Sequence, residues 1–139
     1  MLFRSVYNGD TENGAVLLGQ SIGVIDSIDD VNDIIERIIK AVEVLPSVKA
    51  PQYLLETIAR MSIYLRVDGH RPDIIILKSS KTLAAYNGRV EVTPDDVLTC
   101  SIFALGHRTR NLGMEEPAMR EQIKESFGRA LKEAKIKQK

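Results

Sequence analysis

DGHRPDIIILKSSKTLAAYNGRVEVTPDDV, residues 68–97, decides the fold. Gly69 can end one helix, and Pro72 suits the first turn of the next, where its missing N–H costs nothing. From there Ile74, Ile75, Leu77, Leu83 and Ala84 are the apolar members of a helix that runs to about Tyr86. Asn87-Gly88 closes that helix through residues that tolerate positive φ. Val90 and Val92 make a brief extended link. Thr93-Pro94-Asp95-Asp96 then supplies a cap, a proline at the first helical position and two first-turn acids, a full set of helix-start signals. Two helices joined by a short turn need further helices to cover their apolar faces, so this stretch predicts an all-α bundle.

On the N-terminal side, Val31, Ile34, Ile35, Ile38, Ile39 and Val42 recur at helical spacing, with Asp29 and Asp30 available as caps, so a first helix is expected to end before Pro46. LPSVKA connects it to a second helix from near Pro51, with Leu54, Leu55, Ile58, Ala59 and Ile63 expected inward and Gly69 ending it through a tight turn. On the C-terminal side the fourth helix continues through Val97, Leu98, Ile102, Phe103 and Leu105 to Gly106. A fifth is expected from about Pro117, with Met119, Ile123, Phe127, Ala130, Leu131 and Ala134 on one stripe. The reading is thus about five helices over 29–139, preceded by a lead-in over 1–28 that is irregular or a short β-hairpin around Gly19 and Gly23.

Composition narrows the function. The 139 residues, 44% hydrophobic but only 5% aromatic, suffice for one domain with an aliphatic core. Nineteen basic and nineteen acidic residues cancel, which argues against a nucleic-acid or membrane footprint. A single cysteine, Cys100, allows no internal disulfide, and no run approaches the roughly 18 apolar residues of a membrane span or the pattern of a secretory signal. A cytoplasmic protein is the expectation. No GxxxxGK followed by Ser or Thr occurs, so the cradle of backbone N–H groups that seats nucleotide phosphates is missing and no enzymatic activity is expected of this chain alone.

Arg71 is the first candidate for chemistry. A guanidinium at a helix N-terminus can reach phosphate oxygens that the helix end also favours; its alternative is a surface arginine in a turn. His70 lies 37 positions from the only other histidine, His107, without cysteine or acidic spacing for zinc, so a supporting role suits it better than metal binding or base catalysis. His107, Arg108 and Arg110 form a basic knot after the fourth helix, either capping that helix end or lying at an interface. Cys100 reads as a buried small hydrophobe, Thr93 with its acids as a cap rather than a metal loop, and KEAKIKQK as a solvated helix end.

GHRPDI, the alanine- and serine-containing helix after it, NGRVEVTPDDV and ALGHRTR together resemble the C-terminal lid domain of the AAA+ ATPase subunit of magnesium chelatase, with related lids in MoxR-type ATPases and minichromosome-maintenance helicases. The resemblance runs from about Ile34 to Arg110, through the final helix more weakly, and does not cover residues 1 to about 28. It implies that Arg71 is a sensor 2 arginine reading the nucleotide's terminal phosphates, with His70, His107, Arg108 and Arg110 supporting it or lying at a subunit interface. Pro72, where relatives commonly have a small residue, departs from the pattern without disturbing that role. ATP and Mg²⁺ are implied for a full-length parent, with none for the isolated chain. The implied partners are the parent's own AAA+ core, neighbouring subunits of a hexameric ring and a chelatase partner subunit. Two other readings of the residues stand beside this one: a stand-alone helical protein–protein interaction module, and a small nucleic-acid-binding helical protein, against which the neutral charge argues.

Overall fold

The computed structural model describes residues 30–137. The chain divides into two compact units, Met1–Asp33 and Ile34–Lys139. The expected lead-in over 1–28 lies outside the described residues. Five α-helices make up the described chain: α1 (Val31–Val44), α2 (Gln52–Tyr64), α3 (Arg71–Tyr86), α4 (Pro94–Leu105) and α5 (Arg120–Ile136), with a 3-10 turn at Leu45–Ser47. No sheet forms among the described residues, so the all-α bundle stands as expected.

α2, α3, α4 and α5 form the bundle, with the most extensive pairings between α2 and α5 and between α3 and α4. α2 buries Leu54, Ile58, Met61 and the following Leu65, spaced by three or four residues, and α5 buries Ile123, Phe127, Ala130 and Ala134 at the same spacing. Each series is one face of a helix, and the facing stripes close the aliphatic core. α3 and α4 bury small residues instead: Ser80, Ala84 and Ala85 on one, Cys100, Ser101 and Ala104 on the other. Small side chains let paired helices approach closely. The buried hydroxyls are satisfied within their own helices, Ser80 Oγ donating to the Ile76 carbonyl at 2.7 Å and Ser101 Oγ to that of Val97 at 2.6 Å.

The turn chemistry joining α3 to α4 is as the sequence specified. Gly88 has φ of 69°, and the N–H groups of Gly88 and Arg89 donate to the carbonyls of Ala85 and Ala84 at 2.9 and 2.8 Å, the paired bonds of a Schellman C-terminus. Thr93 caps α4 in a capping box with Asp96. Asp96 also accepts two 2.7 Å hydrogen bonds from Arg89, a bidentate ion pair bracketing the connection. Within the connection, Lys49 exchanges backbone hydrogen bonds with Val90 and Val92, tying the segment before α2 to it.

Several expected core positions face outward. Ile63, Ile74, Phe103 and Met119 are 71%, 54%, 75% and 65% exposed, and Ala59 is exposed as well. In α4 the buried set is Val97, Cys100, Ser101, Ala104 and Leu105, which places Phe103 on the opposite side rather than beside Cys100. In α3 the fully buried isoleucine is Ile76, aligned with Pro72 and Ser80 at four-residue steps. α5 starts at Arg120, three residues later than expected, with Met119 outside its first turn. Gly69 does not end α2. That helix stops at Tyr64, the link takes its first left-handed residue at Arg66 (φ 52°), and six residues rather than a tight turn separate α2 from α3. α1 forms as expected, Asp30 accepting from the Asn32 N–H at 2.7 Å, and its contacts with the bundle among the described residues include Ala41 and Val44 against the core and Arg37 over the Tyr86 ring at 5.4 Å. Only Ala41 on it is buried, and Val31, Ile35, Ile38, Ile39 and Val42 are exposed.

Candidate functional site

The start of α3 is set by the link before it, residues 65–70, which is stitched to the link after α4. Val67 pairs with Arg110 in an antiparallel bridge, the Asp68 N–H donates to the Thr109 carbonyl at 3.2 Å, and the Asn111 N–H donates to the Arg66 carbonyl at 3.0 Å. The Asp68 carboxylate accepts from the Leu112 N–H at 2.8 Å, and this bond chiefly holds its carboxyl below the usual range. Gly69, at φ of 77°, then turns the chain into α3.

His70 is the N-cap residue and Arg71 the first residue of α3, with Pro72 buried beneath them. No side chain caps this helix start, so its free N–H groups and positive dipole end keep their capacity for an anion. Asp73 accepts a hydrogen bond from Ser62 Oγ, fastening the first turn of α3 to the last turn of α2. The His70 imidazole is solvent-facing, its Nδ1 3.9 Å from Asp73 Oδ2. Arg71 is exposed, and no hydrogen bond or ion pair among the described residues engages its guanidinium. A shallow cleft of about 240 Å³ opens beside this corner, lined by Ser62, Ile63, Arg66, Gly69, His70 and Asp73. The corner therefore offers an exposed cation on a pinned backbone, suited to a charge-assisted contact with a phosphate or carboxylate brought by another surface.

The basic residues after α4 divide among different environments. Arg110 is nearly buried: Nη2 bonds Glu115 at 2.6 Å and Nη1 bonds Gln122 at 3.2 Å, fastening the link to the start of α5, while its buried Nε has no hydrogen-bond partner among the described residues. Arg66 reaches the same Glu115 at 3.3 Å, and the Arg110 hydrogen bond, ahead of the lesser Arg66 contribution, holds that carboxyl below its ordinary value. Arg108 is half-buried with its Nε lacking a partner, and His107 is exposed just beyond Gly106. No hydrogen bond or ion pair joins Arg71 to any of these three among the described residues. Sequence reasoning missed Asp73, Asp68 and Glu115 as the supports of this corner. Asp73 carried a signal as a first-turn acid; Asp68 carried none, since its partner lies 44 residues away. No three His, Cys, Asp or Glu residues converge as a metal set, and no helix is long and apolar enough to cross a membrane, among the described residues.

The family model of the AAA lid domain matches residues 55–127, a span reaching from α2 into α5. The chain is 43% identical over 91 residues to the magnesium-chelatase subunit ChlI homolog of Methanocaldococcus jannaschii, covering 66% of this chain and 25% of that protein. It is 33% identical over 99 residues to magnesium-chelatase subunit ChlI of Euglena gracilis, covering 71% and 28% respectively. With the magnesium-chelatase 38 kDa subunit of Chlorobaculum parvum it shares 31% identity over 101 residues, covering 73% and 29%. The aligned region is therefore between a quarter and three-tenths of the length of these relatives.

Proposed function

The chain belongs to the AAA lid domain family, and on that premise we propose that it is the helical lid of a magnesium-chelatase-type AAA+ ATPase, in which Arg71 senses bound nucleotide and couples ATP hydrolysis to movement within a subunit ring. The observation that carries this reading is Arg71 itself: exposed, unpaired among the described residues, and first in a helix whose N-terminus no side chain caps. ATP with Mg²⁺, held by the parent's core, supplies the phosphate oxygens. This chain's part is to hold the Arg71 guanidinium and the α3 N–H groups toward them and to transmit the contact through the Asp73–Ser62 bond into α2. A contact made in one nucleotide state and lost in another biases the lid between two positions relative to the core. The parent's core, its neighbouring subunits in a hexameric ring and a chelatase partner subunit are the partners this reading assigns, in a cytoplasmic setting.

The test is Arg71→Ala in the full-length ring. Hydrolysis is expected to fall by roughly 10-fold or more, the scale of a lost charge-assisted contact to phosphate. Wild-type turnover and nucleotide affinity in that ring would remove the sensing role. For the chain alone, calorimetry with a nonhydrolysable ATP analogue is expected to show no tight binding.

A second reading, a stand-alone helical protein–protein interaction module, is favoured by the uncovered stripe Val31, Ile35, Ile38, Ile39 and Val42 on α1. A phosphate-binding core encoded upstream in the same reading frame excludes it.

A further inference from the structure

The sequence of α1 has the same character read from either end, about a point between Glu36 and Arg37. In VNDIIERIIKAV, residues 31–42, Val31 mirrors Val42, Ile34 mirrors Ile39 and Ile35 mirrors Ile38, while the charges mirror with opposite sign, Asp33 to Lys40 and Glu36 to Arg37. Val31, Ile35, Ile38 and Val42 are spaced by four, three and four residues, the alternation of seam positions in a coiled coil. They are 67%, 48%, 49% and 65% exposed, and Ile39, at 54%, widens the stripe on one flank. A different side of α1 meets the bundle, the side carrying Ala41, Val44 and Arg37. The seam therefore stays available while α1 keeps those contacts.

Mirror symmetry of this kind makes the seam its own complement. When a second α1 lies antiparallel about a two-fold axis through the mirror point, each Val31 is level with a Val42 and each Ile35 with an Ile38, giving layers of matched size and no polar member. A parallel pairing matches the sizes equally well, so charge chooses between the two. Asp30, Asp33 and Glu36 precede the mirror point, and Arg37 and Lys40, against the single acid Glu43, follow it. Parallel helices would set acidic half beside acidic half. Antiparallel helices set the acidic half of one beside the basic half of the other and also oppose the two helix dipoles.

We propose that the exposed face of α1 is a docking surface for α1 of a second copy of this chain, the two helices antiparallel with Val31 against Val42 and Ile35 against Ile38. The contact is isologous, so it closes at two copies and leaves no free seam to propagate. A single 14-residue helix from each copy buries well under the roughly 800 Å² per partner of a standard interface, so the pair is weak, forming at roughly 100 μM and above. Nothing in this contact depends on Arg71 or on nucleotide.

The test is sedimentation of the full chain up to about 1 mM, followed by disulfide trapping in a Cys100→Ser background. The mass is expected to rise with concentration toward that of two chains and no further. Ile38→Ser is expected to weaken the association at least about tenfold, and Phe103→Ser, an equally exposed change on α4, to leave it as it is. In the trap, a Val31→Cys version mixed with a Val42→Cys version is expected to cross-link at least about tenfold faster than either alone, because in the antiparallel pair two like cysteines lie about 16 Å apart along the helix axis. A chain that stays monomeric throughout, with the stripe left bare or covered by something else, overturns the proposal. So does association that Ile38→Ser leaves unchanged, or trapping of like with like as fast as in the mixture.

Discussion

Asp96 is subject to opposing forces. Burial pushes its carboxyl up, yet the hydrogen bonds from Arg89 and Thr93 together outweigh that and hold it below the usual aspartate range. A carboxylate whose native pKa is depressed contributes stability that is fully present above its unfolded value, about 3.9, and is lost as pH falls through the lower native value. Acid unfolding followed by circular dichroism should therefore begin below about pH 4, and Asp96→Ala should flatten that dependence. The same substitution removes the Asp96 side of the capping box and half of the ion pair, so it is expected to cost about 2 kcal/mol in urea denaturation at neutral pH. Gly88 is a backbone case. A Cβ there meets nothing within 4 Å, but φ of 69° penalises any L side chain, so Gly88→Ala is expected to lower stability by about 1 kcal/mol, with no change in near-UV signal to suggest repacking.

At the scale of elements, the buried set of a helix is a matter of phase. Ile74, Ile75 and Ile76 are chemically equivalent in sequence, but only Ile76 is fully buried, because the face of α3 is fixed by Pro72 and Ser80 lying four residues to either side. Ile76→Ala is accordingly expected to cost about 3 kcal/mol, whereas Phe103→Ser on α4, at 75% exposure, should change stability by less than about 0.5 kcal/mol. Thermal unfolding of the pair decides it, and equal losses would mean that the phase of one helix is misassigned. The helices themselves, the Asn87-Gly88 close and the Thr93 cap were legible because their signals are local: a proline, a glycine, a hydroxyl and an acid within a few residues. Ile63, Ile74 and Phe103 were misread because a helix rich in aliphatics offers more than one apolar face, and only its neighbours choose between them. Arg71 was legible as a helix-start cation. Its scaffold, in which Asp68 reaches Leu112 and Arg66 reaches Glu115, was not, since partners 44 and 49 residues apart leave no periodic trace.

Across the whole molecule, the described chain is unequal in how its parts are supported. α2 and α5 are joined along their length and laced by Glu133, which accepts from Tyr64 Oη, from Arg60 Nη1 at 3.1 Å and from Arg129 Nε at 3.1 Å. α1, with 14 residues and one buried side chain, is tied to the bundle among the described residues mainly by Ala41, Val44 and the Arg37–Tyr86 contact, and isolated helices of that length are marginal in water. Native-state hydrogen exchange is expected to show α1 amides exchanging at least about 100-fold faster than those at the centres of α2 and α5; equal protection would mean that another surface covers α1 in solution. The Arg89–Asp96 clamp has a consequence in time. It closes over seven residues, while the Glu133 lacing must bring together groups 69 and 73 positions apart, and closing a loop costs more entropy the longer it is. The α3–α4 hairpin is thereby favoured to organise early, with α5 arriving last to seal the bundle. In stopped-flow kinetics, loss of the clamp should appear mainly as slower refolding, and truncation of Glu133 mainly as faster unfolding.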